Sequence, residues 1–189
     1  EGWDAEKEKQ NRSTLVGKTM LDGMEKSAEF HEKREACIRK KYNADEIGQR
    51  ILNGDGGSWI KEPYDAEVIF QLDRYHVYSK ITEKIRDKKA QGEIRRLYDE
   101  EKPEEMLEYI EIYATSVESP DEKDKRSKHA RELYQYLNNN RSGLLPYDKQ
   151  GISIPEPQKG IIYKGMGVQE SQNCTVITLR MKNRRMRWS

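Results

Sequence analysis

The chain has 189 residues, which is enough for one domain or for one domain with an insertion. Its 35 Lys and Arg nearly balance its 34 Asp and Glu, and the net charge of +1 excludes the global basic field of many nucleic-acid-binding proteins. No apolar run reaches the roughly eighteen residues that a transmembrane helix needs. Two cysteines far apart, Cys37 and Cys174, form neither a disulfide framework nor a Cys-rich zinc site. We therefore expect a cytoplasmic protein without a membrane span.

The N-terminal part of the chain predicts a mixture of helix and strand. Residues 1–22 are largely polar, and no strand pattern surrounds Asp4. The apolar residues of 24–43 are spaced for one side of a helix. Two short strands are predicted next, at 49–52 and 67–72. Because helical patterns precede and follow these strands, the segment indicates parallel α/β units.

The middle of the chain is predominantly helical by its pattern. Residues 74–118 predict helix almost throughout, with breaks at Gly92 and Pro103, and 124–137 predict a further helix. The Asn, Gly and Pro residues of 138–157 are typical of a loop. This helical stretch is longer than an ordinary connection, so we interpret it as an insertion into the α/β core.

The first candidate site is Asp55, in the run Gly54-Asp55-Gly56-Gly57 directly after the first predicted strand. Open α/β sheets bind ligands at the carboxyl ends of their strands. Glycines there allow a sharp turn and the close approach of another group to the carboxylate. A plain Asp-Gly turn explains the same residues. A phosphate-binding loop is disfavoured, because no Gly-Lys-Ser/Thr follows at the required spacing.

The second candidate site is Asp73 with His76, at the end of the second predicted strand. The two residues lie about one helical turn apart, so they could pair with each other or bind a metal. The alternative is that Asp73 is the N-cap of the following helix, which explains the Asp without any chemistry.

The third candidate site lies near the C-terminus. Glu170 begins a predicted helix over 168–181 and could reach the strand ends, although a Glu at a helix start also interacts favourably with the helix dipole. Five cations follow it and suit phosphate contacts, although such runs are often solvated surface. We call these five residues the basic tail: Arg180, Lys182, Arg184, Arg185 and Arg187. Several carboxylates beside a basic segment are what metal-dependent phosphoryl transfer on DNA requires.

At these residues the sequence resembles the bacterial insertion-sequence transposases of the ISLre type, in the Mutator-like group of acidic-triad transposases. Four segments carry the resemblance, in family order and with family-like gaps. They are NGDGGSWIK (53–61), FQLDRYHVYSKI (70–81), YLNNNRSGLLPY (136–147) and GVQESQNCTVITLRMKNRRMRWS (167–189). The combination is more specific than any one of these segments, and the similarity covers nearly the whole chain.

The resemblance implies an α/β fold, a partial ribonuclease-H-like core with a mostly helical insertion. Residues 1–87 would form the partial core, 88–145 the insertion, and 146–189 the return to the core with the final catalytic helix. The resemblance makes Asp55 and Glu170 the second and third carboxylates of the triad. Both would bind Mg²⁺, for which Mn²⁺ can substitute. Asp73 and His76 match the Asp-x-x-His signature and would support the site, and the basic tail would contact DNA.

The function implied is cleavage and transfer of DNA strands during transposition, with element ends and target DNA as partners, in a homo-oligomer associated with the bacterial nucleoid. The family's first Asp lies upstream of this chain, so we expect the 189 residues alone to bind metal poorly and to cleave no DNA. One alternative is a non-catalytic remnant that binds DNA or a protein. Another is an unrelated phosphohydrolase that uses Asp55 and, as its second catalytic group, Lys61.

Overall fold

The computed structural model describes residues 2–9, 15–17, 19, 21, 23, 25–57 and 68–163. Helices and strands are both present, as the sequence predicts. The chain divides into two compact units. The α/β unit contains the residues up to Gln71 and those from Ser142 onward, and the helical unit contains Leu72–Arg141.

A three-stranded antiparallel sheet in the α/β unit has the strand order β2-β1-β5. Its strands are β1 (Gly2–Asp4), β2 (Leu15–Val16) and β5 (Ile161–Ile162). In its register Gly2 pairs with Val16, and Asp4 pairs with Ile161.

The expectation that no strand surrounds Asp4 is wrong. Asp4 ends β1, and its Oδ1 accepts the backbone N–H groups of Glu6 and Lys7 at 3.0 and 3.1 Å, which caps the short helix α1 (Ala5–Lys9). The partners of β1 lie on both of its sides, and one of them, β5, comes from the far end of the described chain. A three-residue strand held by distant partners has no local alternation for sequence reasoning to find.

A second sheet in the same unit consists of two parallel strands, β3 (Arg50–Gly54) and β4 (Val68–Leu72). Both strands were predicted, and each boundary differs by one or two residues. The helix α2 (Ser27–Lys41) precedes them and confirms the helix predicted over 24–43. An ion pair of 2.9 Å between Glu35 of α2 and Arg50 of β3 joins the helix to the sheet.

The helical unit contains four helices: α3 (Arg74–Lys84), α4 (Lys88–Asp99), α5 (Pro103–Ser116) and α6 (Arg126–Asn139). The predicted boundary at Pro103 is confirmed, because Pro103 is the first residue of α5. The predicted break at Gly92 is wrong, because Gly92 lies inside α4. A glycine inside a helix costs about 1 kcal/mol relative to alanine. The burial of apolar side chains on both sides of it, Ala90 and Ile94 among them, outweighs that cost.

The core of the helical unit is formed by aliphatic side chains that recur every three or four residues along each helix. The buried residues are Val77, Ile81, Ile85, Ala90, Ile94, Leu97, Met106, Leu107, Ile110, Ala114, Ala130, Leu133 and Leu137. These side chains explain how a chain with only 34% hydrophobic residues folds a compact unit. The interpretation of 88–145 as an insertion into a ribonuclease-H-like core stays a prediction.

The segment after α6 has the loop character that its composition predicts. It contains two short 3₁₀ turns, Arg141–Gly143 and Tyr147–Lys149, and between them Leu144 is buried. None of the helices in the described parts of the chain is long and apolar enough to cross a membrane.

Candidate functional site

Asp55 follows the last residue of β3 directly and begins a tight turn. Its Oδ1 accepts the backbone N–H of Gly57 at 2.9 Å, and its side chain is exposed. Gly56 has a φ of 85°, in the left-handed region that glycine adopts without strain. The turn therefore fixes one carboxylate oxygen while the group as a whole faces solvent. A carboxylate oxygen has about two lone-pair sites, so this turn is compatible with metal binding.

Two glutamine side chains behind this turn connect β4 to the loop 145–150. Gln71, in β4, donates from Nε2 to Oδ1 of Asn53 in β3 at 3.4 Å. Its Oε1 accepts the backbone N–H of Tyr147 at 2.8 Å. The Nε2 of Gln150 donates to the carbonyl oxygens of Phe70 and Leu145 at 3.1 and 2.9 Å. Sequence reasoning missed this network, although a single glutamine in the apolar strand Val-Ile-Phe-Gln-Leu was a signal for it.

Asp73 is the N-cap of α3. Its Oδ1 accepts the backbone N–H of Tyr75 at 2.9 Å, and its side chain is buried at 3% exposure. The capping interpretation is thereby confirmed, while a supporting role in catalysis stays a prediction. His76 is half-buried in the first turn of α3, with its ring edge-on to that of Tyr75 at 5.5 Å between centroids.

Glu170 and the basic tail lie outside the described residues, and so does Lys61. The convergence of Asp55 and Glu170 therefore stays a prediction. Among the residues that the structure describes, no group of three or more His, Cys, Asp or Glu side chains is arranged to hold a metal ion. Asp55 has the oxygen chemistry that Mg²⁺ prefers. A complete magnesium site would thus depend on carboxylates such as Glu170 that lie outside this set.

A second polar cluster, in the helical unit, was not predicted. The Tyr78 hydroxyl and the Arg74 guanidinium both donate to Oδ1 of Asp99. The guanidinium groups of Arg74 and Arg95 lie over the Tyr78 ring, at 5.4 and 5.2 Å from its centroid. The ring of Tyr98 meets that of Tyr78 edge-on at 6.1 Å.

The electrostatics of this cluster keep both phenols protonated. Burial raises the pKa of Tyr98 to about 12. Burial and the hydrogen bond to Asp99 raise the pKa of Tyr78 as well. Neither tyrosine is therefore poised to act as a base near neutral pH. The spacing of Arg74 and Tyr78, one helical turn apart, was the signal in the sequence for this contact.

The fold and the site together define a protein of mixed helix and strand in which a turn-forming carboxylate follows a parallel strand. The family model described as Uncharacterised protein family (UPF0236) matches residues 1–189, the whole chain. The chain therefore belongs to the UPF0236 family. No curated protein and no solved structure matches it.

Proposed function

We propose that this chain is the catalytic region of a DNA transposase that cleaves and transfers DNA strands with the help of Mg²⁺. The observation that carries the proposal is the position of Asp55. It directly follows a strand of a parallel pair, in an exposed turn closed by its own hydrogen bond to Gly57. The turn belongs to one of the four segments that resemble the ISLre-type transposases. The proposal includes a ribonuclease-H-like arrangement of the core.

In this proposal the residues divide the work by chemistry. Asp55 and Glu170 hold the divalent cation, which stabilises the charge that develops on the attacking and leaving oxygens. The N–H of Gly57 fixes the orientation of the Asp55 carboxylate. Asp73 and His76 support the site from the start of α3, and the basic tail neutralises the phosphates of the bound strand.

The direct test is strand cleavage by the reading frame extended upstream, where the resemblance places the first Asp. Purified protein is incubated with Mg²⁺ or Mn²⁺ and DNA that carries the element ends. We expect the extended protein to nick this DNA and the 189-residue chain to leave it intact. Asp55→Asn should abolish nicking, because an amide replaces the charged ligand. Asp45→Asn is the matched control, since Asp45 is also an exposed Asp of the α/β unit.

Two results would contradict the proposal. Nicking that survives Asp55→Asn would remove Asp55 from the site. The absence of nicking in every extended protein, with DNA binding retained, would favour the alternative of a non-catalytic DNA-binding remnant.

A further inference from the structure

We infer that Gln71 is a positioning residue for Asp55, acting through Asn53, and that the loop 145–150 takes part in this role. The inference rests on the proposed function, because it gives Asp55 the role of a metal ligand. Its geometric content, that Gln71 sets the turn after β3, is measurable without any DNA. Nothing in the sequence resemblance assigns a role to Gln71.

The first step of the argument is the burial of Gln71. Its side chain is 8% exposed, and it interrupts the otherwise apolar strand β4. A buried amide is unfavourable unless both of its ends are hydrogen-bonded. Gln71 satisfies both ends, the carbonyl oxygen with the Tyr147 N–H and the NH₂ group with Asn53. A polar residue that breaks the local pattern and is fully bonded often marks a functional site.

The second step is the distance along the chain from this amide to the carboxylate. Gln71 holds the Asn53 side chain, and only Gly54 separates Asn53 from Asp55. The Cα atoms of Asn53 and Asp55 are therefore joined by two planar, stiff peptide units. Because this connection is so short, a displacement of Asn53 is transmitted to the turn in which Gly57 bonds to Asp55.

The third step separates Gln71 from its neighbour Gln150. Gln150 fastens the same loop to the same strand, through the carbonyl oxygen of Phe70. The bonds given for its amide go to that carbonyl and to Leu145, and neither partner belongs to β3. Gln71 is thus the residue that joins the loop to the strand end that carries Asp55, and Gln150 provides a matched control.

The experiment compares Gln71→Met with Gln150→Met in the purified 189-residue chain. Methionine keeps the length of the side chain and removes its hydrogen bonds. The readouts are the chemical shift and the solvent-exchange rate of the Gly57 amide by NMR, with unfolding by denaturant measured alongside. We expect Gln71→Met to shift the Gly57 resonance and to raise its exchange rate roughly two- to fivefold, the effect of losing one ordinary hydrogen bond. Gln150→Met should leave Gly57 unchanged.

A second variant keeps the test decisive if Gln71→Met does not fold. Asn53→Ala removes the other partner of the same bond and should change the Gly57 resonance in the same direction. In the double variant the two effects should be less than additive, because both substitutions remove one interaction. An unchanged Gly57 resonance in Gln71→Met or Asn53→Ala overturns the inference, as does an equal change in Gln150→Met.

The outcome is independent of the proposed function. If the extended protein cleaves no DNA while Gly57 responds as expected, the transposase proposal fails and the coupling stands. If cleavage occurs and Gly57 does not respond, the positioning role fails alone. Where both hold, Gln71→Met in the extended protein should lower kcat roughly tenfold or more, with little effect on KM, as loss of a group that orients a metal ligand does.

Discussion

Substitution of Asp73 separates its observed role as a helix cap from its proposed role at the catalytic site. The helical unit offers a matched residue for comparison, because Asp87 caps α4 in the same way. Oδ1 of Asp73 accepts the N–H of Tyr75 at 2.9 Å, and Oδ1 of Asp87 accepts those of Lys89 and Ala90 at 2.8 and 3.2 Å. The resemblance to transposases gives a role to Asp73 alone.

The magnitudes follow from the capping geometry. Replacing a capping Asp by Ala costs about 0.5 to 2 kcal/mol, and Asn caps about as well as Asp. We expect Asp73→Ala to lower the free energy of unfolding by about 1 to 2 kcal/mol, near the upper end because Asp73 is buried. Asp87→Ala should cost about 1 kcal/mol, since Asp87 is exposed. Both Asn variants should remain within about 0.5 kcal/mol of the parent chain.

The assay combines urea unfolding, followed by far-ultraviolet circular dichroism, with strand cleavage by the extended protein. Asp73→Asn should retain its stability and lose roughly ten- to a hundredfold in cleavage rate, because an uncharged amide replaces a group that supports the metal site. Asp87→Asn should retain both. If Asp73→Asn cleaves DNA as fast as the parent protein, the supporting role is refuted and Asp73 is only a cap.

Three further predictions test the helical unit and the basic tail. Burial raises the pKa of Tyr98 to about 12 from 10.0, so its contribution to stability is complete below pH 10 and is lost as the pH rises toward 12; Tyr98→Phe should remove about 2 to 3 kcal/mol of this alkaline loss in pH-dependent urea titrations. Ile94→Ala should cost about 3 kcal/mol in the same unfolding assay, whereas Ile112→Ala, at a site 62% exposed, should stay within about 0.5 kcal/mol; equal costs would contradict the described core. Neutralising the basic tail should reduce the salt dependence of DNA binding by about 0.9 in log–log slope for each phosphate that the protein no longer neutralises, and an unchanged slope would assign the tail to solubility.

The helices and the parallel strands could be predicted because their signals are local. Apolar residues at helical spacing predicted the helix in residues 24–43, and Pro103 marked the start of α5 because proline suits the first turn of a helix. Gly92 was misleading for a physical reason. Its local preference opposes the helix, but the burial of Ala90 and Ile94 in the folded unit is the larger effect.

The rest could not be predicted because it depends on residues that are far apart in the sequence. Asp4 ends a strand only because β5 lies beside it, and no local pattern contains that information. Gln71 and Tyr147 are likewise brought together by the fold. Asp55 was found because its chemistry and its strand are adjacent in the sequence, whereas the groups that orient it are not.

The α/β unit is made of two pieces of chain, with the helical unit between them. During synthesis on the ribosome, β1 emerges early, and its partner β5 emerges only after the whole helical unit has been translated. The helices α3 to α6 follow one another in the chain and can fold as they appear, because domains generally fold as units during synthesis. Folding of the helical unit would also shorten the effective loop that must close before β1 meets β5, and the entropy of closure falls with loop length. The helical unit would thus act as an internal timer that delays completion of the α/β unit, and with it the final setting of the turn at Asp55, until most of the chain has been made.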